Sequence, residues 1–162
     1  MVPFFNRVDR LQLSGKNLAG LICDFAEKGK TVQFTAKGNS MFPFVKDGDV
    51  ITVSPCMNKK PEPGDVVAFS NSTTNKLVVH RILKISDAEF ESKGDGCFRT
   101  DGIQPSEKII GIVSKVNQGG IKTYCLGPAN IRKCITFFSR FGIFAIMSIL
   151  FYKSKHYTTK AF

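Results

Sequence analysis

No acidic residue follows Glu107. Residues 1–107 hold all 13 Asp and Glu beside 14 Lys and Arg, whereas residues 108–162 hold nine basic side chains, so +9 of the formal charge of +10 belongs to the tail. No secretory leader is expected either. MVPFFNRVDR is too short and too interrupted by charge to be an apolar h-region, and the chain is expected to begin inside its domain or just ahead of it. The cysteines, Cys23, Cys56, Cys97, Cys125 and Cys134, are odd in number and scattered, which argues against a zinc site or a disulfide framework and for reduced thiols. Histidine occurs only as His80 and His156, and there is no internal repeat or low-complexity tract. What remains is a 162-residue chain, 43% hydrophobic and 22% charged. That composition suits one globular domain and excludes both global disorder and a multi-domain machine.

The one long apolar run lies in the basic tail. CITFFSRFGIFAIMSILFY, the nineteen residues from Cys134 to Tyr152, carries a single charge, Arg140, with Arg132 and Lys133 ahead of it and Lys153, Lys155 and Lys160 behind. As one helix rising ~1.5 Å per residue it would just cross a hydrocarbon layer of roughly 30 Å. Lys133, Thr136 and Arg140 share one helical face, which gives the first half an interfacial character, while Phe141 to Tyr152 is apolar all round. Basic residues bordering apolar ones point to membrane lipid as the partner of residues 131–162 and away from nucleic acid. Basic flanks on both sides leave the face of the membrane open. A core helix or a partner helix is the alternative.

Upstream, Ser14 is placed as the N-cap of a helix with Leu18, Leu21, Ile22 and Phe25 on one apolar face, ended by Gly29. The pattern then changes to short alternating or aliphatic segments broken by Gly, Pro and Asp: residues 31–36, 49–55, 65–70, 76–85, 89–93 and 108–116. The expected fold class is therefore mainly β, with an N-terminal helix and a C-terminal hydrophobic helix. Residues 1–30 would be the amphipathic helix, 31–130 the β-rich domain, with 121–131 a last extended piece and linker, and 131–162 the membrane-associated segment.

Three segments bring reactive side chains into this aliphatic framework. Gly38-Asn39-Ser40-Met41-Phe42-Pro43 follows a strand and sets a serine where the chain reverses. Leu77-Val78-Val79-His80-Arg81-Ile82 puts a titratable ring in a strand of branched aliphatics. Lys93-Gly94-Asp95-Gly96-Cys97-Phe98-Arg99-Thr100-Asp101 offers two carboxylates six residues apart in a Gly-rich loop. Taken singly, each has a structural explanation: a Gly-Pro turn, a core histidine, turn-forming aspartates.

In this order, however, G-x-S-M-x-P, G-D-V-I-T-V at 48–53, P-G-D-V-V at 63–67, V-V-H-R-I at 78–82 and K-G-D followed by Asp101 resemble the type I signal peptidase family. That family shares its β-fold with the self-cleaving SOS repressors, and the resemblance covers about residues 31–114. It implies that Ser40 is a nucleophile. His80 stands where the bacterial enzymes and SOS repressors carry a lysine base, as in the archaeal, endoplasmic-reticulum and sporulation-type branch. There the resemblance implies Asp101 as the carboxylate orienting His80, and Asp95 as auxiliary or structural. Two features depart from the family: Gly38 stands where many members have a hydroxyl residue, and the hydrophobic segment is C-terminal where bacterial members have an N-terminal span.

The activity implied is that of a serine endopeptidase of signal peptidase I type, cleaving extended precursor peptides, signal or leader peptides, through an acyl-enzyme, with no metal and no organic cofactor. A serine hydroxyl is a poor nucleophile until a base takes its proton, and imidazole does so near neutrality. Cleavage should accordingly slow as His80 protonates, roughly below pH 6–7, which a rate profile through that range checks. Two other functions fit the same residues. One is a self-cleaving regulator of the SOS type, for which Ala19-Gly20 resembles the scissile bond, although no DNA-binding helix pair fits before residue 31. The other is a non-catalytic, membrane-tethered β-domain that binds extended peptides along an edge strand. Oligomeric state has no signature in the sequence.

Overall fold

The structure, a computed structural model, describes residues 20, 22, 24–26, 28–56, 59–119, 122–124 and 129–158. Ser14, Leu18, Ala19, Leu21, Cys23 and Cys125 lie outside them. Residues 20, 22 and 24–26 are helical, and Lys30 N–H bonds back to the Phe25 carbonyl at 2.9 Å as the chain leaves the helix at Gly29. Eight strands follow: β1 (Val32–Thr35), β2 (Val50–Ser54), β3 (Val66–Ser70), β4 (Leu77–Ile85), β5 (Glu89–Lys93), β6 (Ile103–Pro105), β7 (Ile109–Gln118) and β8 (Lys122–Tyr124). All pair antiparallel in the order β1-β2-β7-β3-β4-β5-β6, with β8 added to β7. The mainly β class read from the sequence is the fold found. Strand β6 is the exception, because Ile-Gln-Pro has neither the length nor the alternation that marks a strand.

β3 is central in this order and is buried on both faces. Val66 and Ala68 join Met41, Val45, Ile51, Val53, Val113 and Val116 in one cluster, and Val67 and Phe69 join Ile82 and Phe90 in the other. Two-sided burial explains why residues 66–69 read as an unbroken apolar run and do not alternate. β5 covers β4 only from Arg81 to Ile85, so Leu77–His80 has β3 on one side and no strand on the other among the described residues. β1 likewise pairs with β2 alone. Between these two uncovered backbones lies a cavity of about 390 Å³, lined by Phe34, Met41, Val45, Ile51, Leu77 and Val79 and reaching Ser40 and His80.

The C-terminal run differs from the single helix expected. It forms two helices, α1 (Ala129–Arg140) and α2 (Ile143–Thr158), bent by 74° between residues 131–140 and 143–150. Gly142 supplies the break: its φ of +69° is the left-handed conformation that closes a helix, and its N–H bonds to the Ser139 carbonyl at 3.0 Å. No single helix among the described residues is long and apolar enough to cross a membrane. The polar face also differs from Lys133, Thr136 and Arg140. Thr136 is buried, together with Ser139, on the side that carries Arg132, while Lys133 and Arg140 are exposed.

Candidate active site

Ser40 sits in the turn between β1 and β2, and the turn is rigid for local reasons. Gly38 takes φ +82°, a conformation favourable to glycine, and donates its N–H to Asp47 Oδ1 at 2.7 Å. Phe42 N–H returns to the Asn39 carbonyl at 3.0 Å, and Val45 N–H to that of Met41 at 3.0 Å. Met41, Phe42 and Val45 are buried beneath the turn and fix Ser40, which is half-buried.

His80 lies on β4, 40 positions along the chain, and its Nε2 is 3.0 Å from Ser40 Oγ. Its Nδ1 is 2.7 Å from Asp101 Oδ2, in the loop between β5 and β6. A carboxylate can only accept, so Nδ1 carries the hydrogen, and Nε2 is left to accept from the Ser40 hydroxyl. Ser92 on β5 donates its hydroxyl to the same Asp101 Oδ2 at 2.7 Å, and Asp101 N–H bonds to the Ser92 carbonyl at 2.9 Å. Gln104 on β6 donates to the Asp101 carbonyl at 3.0 Å. The chain hydroxyl–imidazole–carboxylate is thus continuous. Its imidazole and carboxylate retain 12% and 16% side-chain exposure, which leaves the site reachable.

Asp95 does not join this chain. Arg81 follows His80 and so leaves β4 on the opposite face. Its Nε and Nη2 donate to the Asp95 carboxylate at 2.9 and 2.7 Å and its Nη1 donates to the Gly64 carbonyl at 2.8 Å, with both side chains fully buried. Of the two aspartates, Asp101 reaches the imidazole and Asp95 anchors the loop. Removing one partner of such a pair strands the other charge, so Asp95→Ala is expected to cost about 3–5 kcal/mol in urea unfolding. A loss under ~1 kcal/mol would show that the pair does not hold the domain together.

The same loop braces the serine. Gly96 N–H donates to the Ser40 carbonyl at 2.8 Å, and a Cβ on Gly94 would stand 2.5 Å from that oxygen and 3.0 Å from His80 Nε2. Only glycine lets the two backbones approach so closely. Gly94→Ala must displace the Ser40 backbone relative to His80, and a loss on the order of 10²-fold in kcat/KM, accompanied by a lowered unfolding midpoint, is the expected readout. Activity within threefold of wild type would mean the contact is not needed. Nearby, burial raises the Cys97 thiol above its ordinary pKa, with Asp101 adding to the rise. Burial likewise pushes the Lys93 amine below its usual range, with the Asp95 carboxylate opposing.

Ser92, Gln104 and Arg81 were not singled out from the sequence. A signal existed for Ser92, since strand alternation puts it on the face of buried Phe90, where a small polar residue needs a partner. Gln104 had none, because β6 was not recognisable. Among the described residues no group of three or more His, Cys, Asp or Glu is placed to hold a metal ion.

The fold is that of a serine-peptidase-type β domain. The chain belongs to the Peptidase S24-like family, whose model matches residues 8–93, just over half of the sequence. The match includes Ser40 and His80 and ends before Asp95 and Asp101. This family lies in the superfamily that holds the signal peptidases and the self-cleaving repressors, and its members can be non-catalytic. No curated protein and no solved structure matches the chain.

Proposed function

We propose that this protein is a serine endopeptidase of signal peptidase type that cleaves extended precursor peptides. The observation that carries the reading is the unbroken chain from Ser40 Oγ through the His80 ring to Asp101. His80 Nε2 takes the proton as Ser40 Oγ attacks the peptide carbonyl, and Asp101 stabilises the imidazolium that forms. By analogy with the signal peptidases, the backbone N–H of Ser40 would be one donor to the developing oxyanion. His80 then protonates the departing amine, and water, activated by the same nitrogen, releases the acyl group.

Substrate geometry follows from the two uncovered edges. A peptide laid between Phe34–Lys37 and Leu77–Val79 would gain backbone hydrogen bonds from β1 and β4, and alternate side chains would enter the apolar cavity. Small uncharged residues beside the cut are expected by analogy with the signal peptidases. Incubating detergent-solubilised protein with a peptide library, and comparing wild type with Ser40→Ala by mass spectrometry, tests this. Cleavage products confined to wild type and following small residues support the proposal, and identical product sets refute it.

A further inference from the structure

The C-terminal helix pair is turned the wrong way round for water. The inward side of α1 is polar: the Arg132 guanidinium pairs with the Asp65 carboxylate, which is 2% exposed, and the Lys93 ammonium donates to the Ser139 carbonyl. Thr136 donates to the Arg132 carbonyl at 2.8 Å, and from α2 Phe144 packs edge-on against Phe44 with ring centres 5.1 Å apart. The outward side is apolar, with Phe137, Phe138, Phe141, Ile146, Ile149 and Leu150 each between 46% and 66% exposed. Asp65 would keep its Lys59 partner at 2.9 Å if α1 rolled to bury these rings, but the Arg132–Asp65 pair would break and the Lys93 ammonium, in a residue 2% exposed, would lose the Ser139 carbonyl it donates to. The polar anchors therefore commit the apolar side chains to the outside, where a contiguous patch of this kind marks a binding surface.

The charges around the patch select its occupant. Lys133 and Arg140 are exposed among the apolar residues, and no carboxylate occurs from residue 108 onward. A second copy of this face would set lysine and arginine against their own counterparts, whereas an anionic lipid leaflet accepts both the rings and the cations. Helix lengths of roughly 18 and 24 Å at 1.5 Å per residue, with a sharp bend between them, suit lying in the interface better than crossing it. We infer that the outer face of α1 and α2 is a membrane-surface docking face on which the domain rests, its apolar side chains within an anionic leaflet. Phe98, 60% exposed in the loop that carries Asp101, meets Gly142 and extends the face toward the active site.

Vesicle flotation tests this inference separately from the peptidase reading. The full chain is expected to float with vesicles of mixed phosphatidylcholine and phosphatidylglycerol and at least ~10-fold less well with phosphatidylcholine alone, since each cation near the surface contributes. A combined Phe137→Ser, Phe141→Ser, Ile146→Ser variant should keep the wild-type unfolding midpoint and lose ~30-fold or more in vesicle affinity. Ser40→Ala should float as wild type does, so a failure of the catalytic reading leaves this result standing. Three outcomes overturn the inference: wild type that stays unbound with both vesicle types, a triple-serine variant that floats undiminished, or a lipid-free dimer that the same variant dissolves. Resistance of the membrane-bound chain to alkaline carbonate extraction would overturn surface docking in favour of spanning.

Discussion

Ser40→Ala is expected to lower peptide cleavage by a factor on the order of 10⁴–10⁶ while leaving the unfolding midpoint nearly unchanged. A large loss is expected because the His80 Nε2 of the variant keeps its place but has no hydroxyl hydrogen-bonded to it to deprotonate. Stability should hold because the turn is fixed by backbone bonds and by buried Met41, Phe42 and Val45, and Oγ contributes a single half-buried hydrogen bond. Progress curves on a peptide found in the library screen, run beside urea melts of both proteins, measure the two effects together. Cleavage that persists within tenfold in the variant would remove Ser40 from the reaction.

Asp101→Asn is the second large effect, an expected fall on the order of 10³–10⁴ in kcat at neutral pH. The amide can present its NH₂ group to His80 Nδ1, which forces the hydrogen onto Nε2 and leaves it unable to accept from Ser40. If it presents oxygen, the tautomer survives but the negative charge that balances the imidazolium is gone. Ser92, which donates to the same Oδ2, biases the amide toward the second arrangement. The double variant Ser92→Ala, Asp101→Asn should therefore be slower than Asp101→Asn alone. Equal activity of Asp101→Asn and wild type would detach this carboxylate from the imidazole's work.

Much of this site was readable before any coordinates. Strands betray themselves through local alternation and branched side chains, so the segments bearing His80 and Ser92 lay within one or two residues of their observed bounds. The Gly38 turn announced itself through the glycine and proline around Ser40. The choice of Asp101 over Asp95 comes from the family resemblance and not from any local pattern. Asp95 and Asp101 share one loop, and which of them meets the imidazole depends on Arg81 capturing Asp95 on the far face of β4 and on β6 holding the Asp101 carbonyl through Gln104. Those are contacts between distant segments, with no periodicity to reveal them.

The tail shows the same division. Composition alone established that residues after Glu107 are basic and apolar, because charge counts need no geometry. Hydropathy along one dimension could not tell that Gly142 would break the run or that Arg132, Thr136 and Ser139 would turn inward. A helix is oriented by whichever face finds the better partner. Here buried Asp65 and the Lys93 ammonium, supplied from elsewhere in the chain, outweighed the burial of phenylalanine. Residue types and strand periods are local properties written into the chain. The pairing of His80 with Ser40 and Asp101, and the outward turn of the apolar helix face, arise from long-range contacts that exist only once the sheet has closed around them.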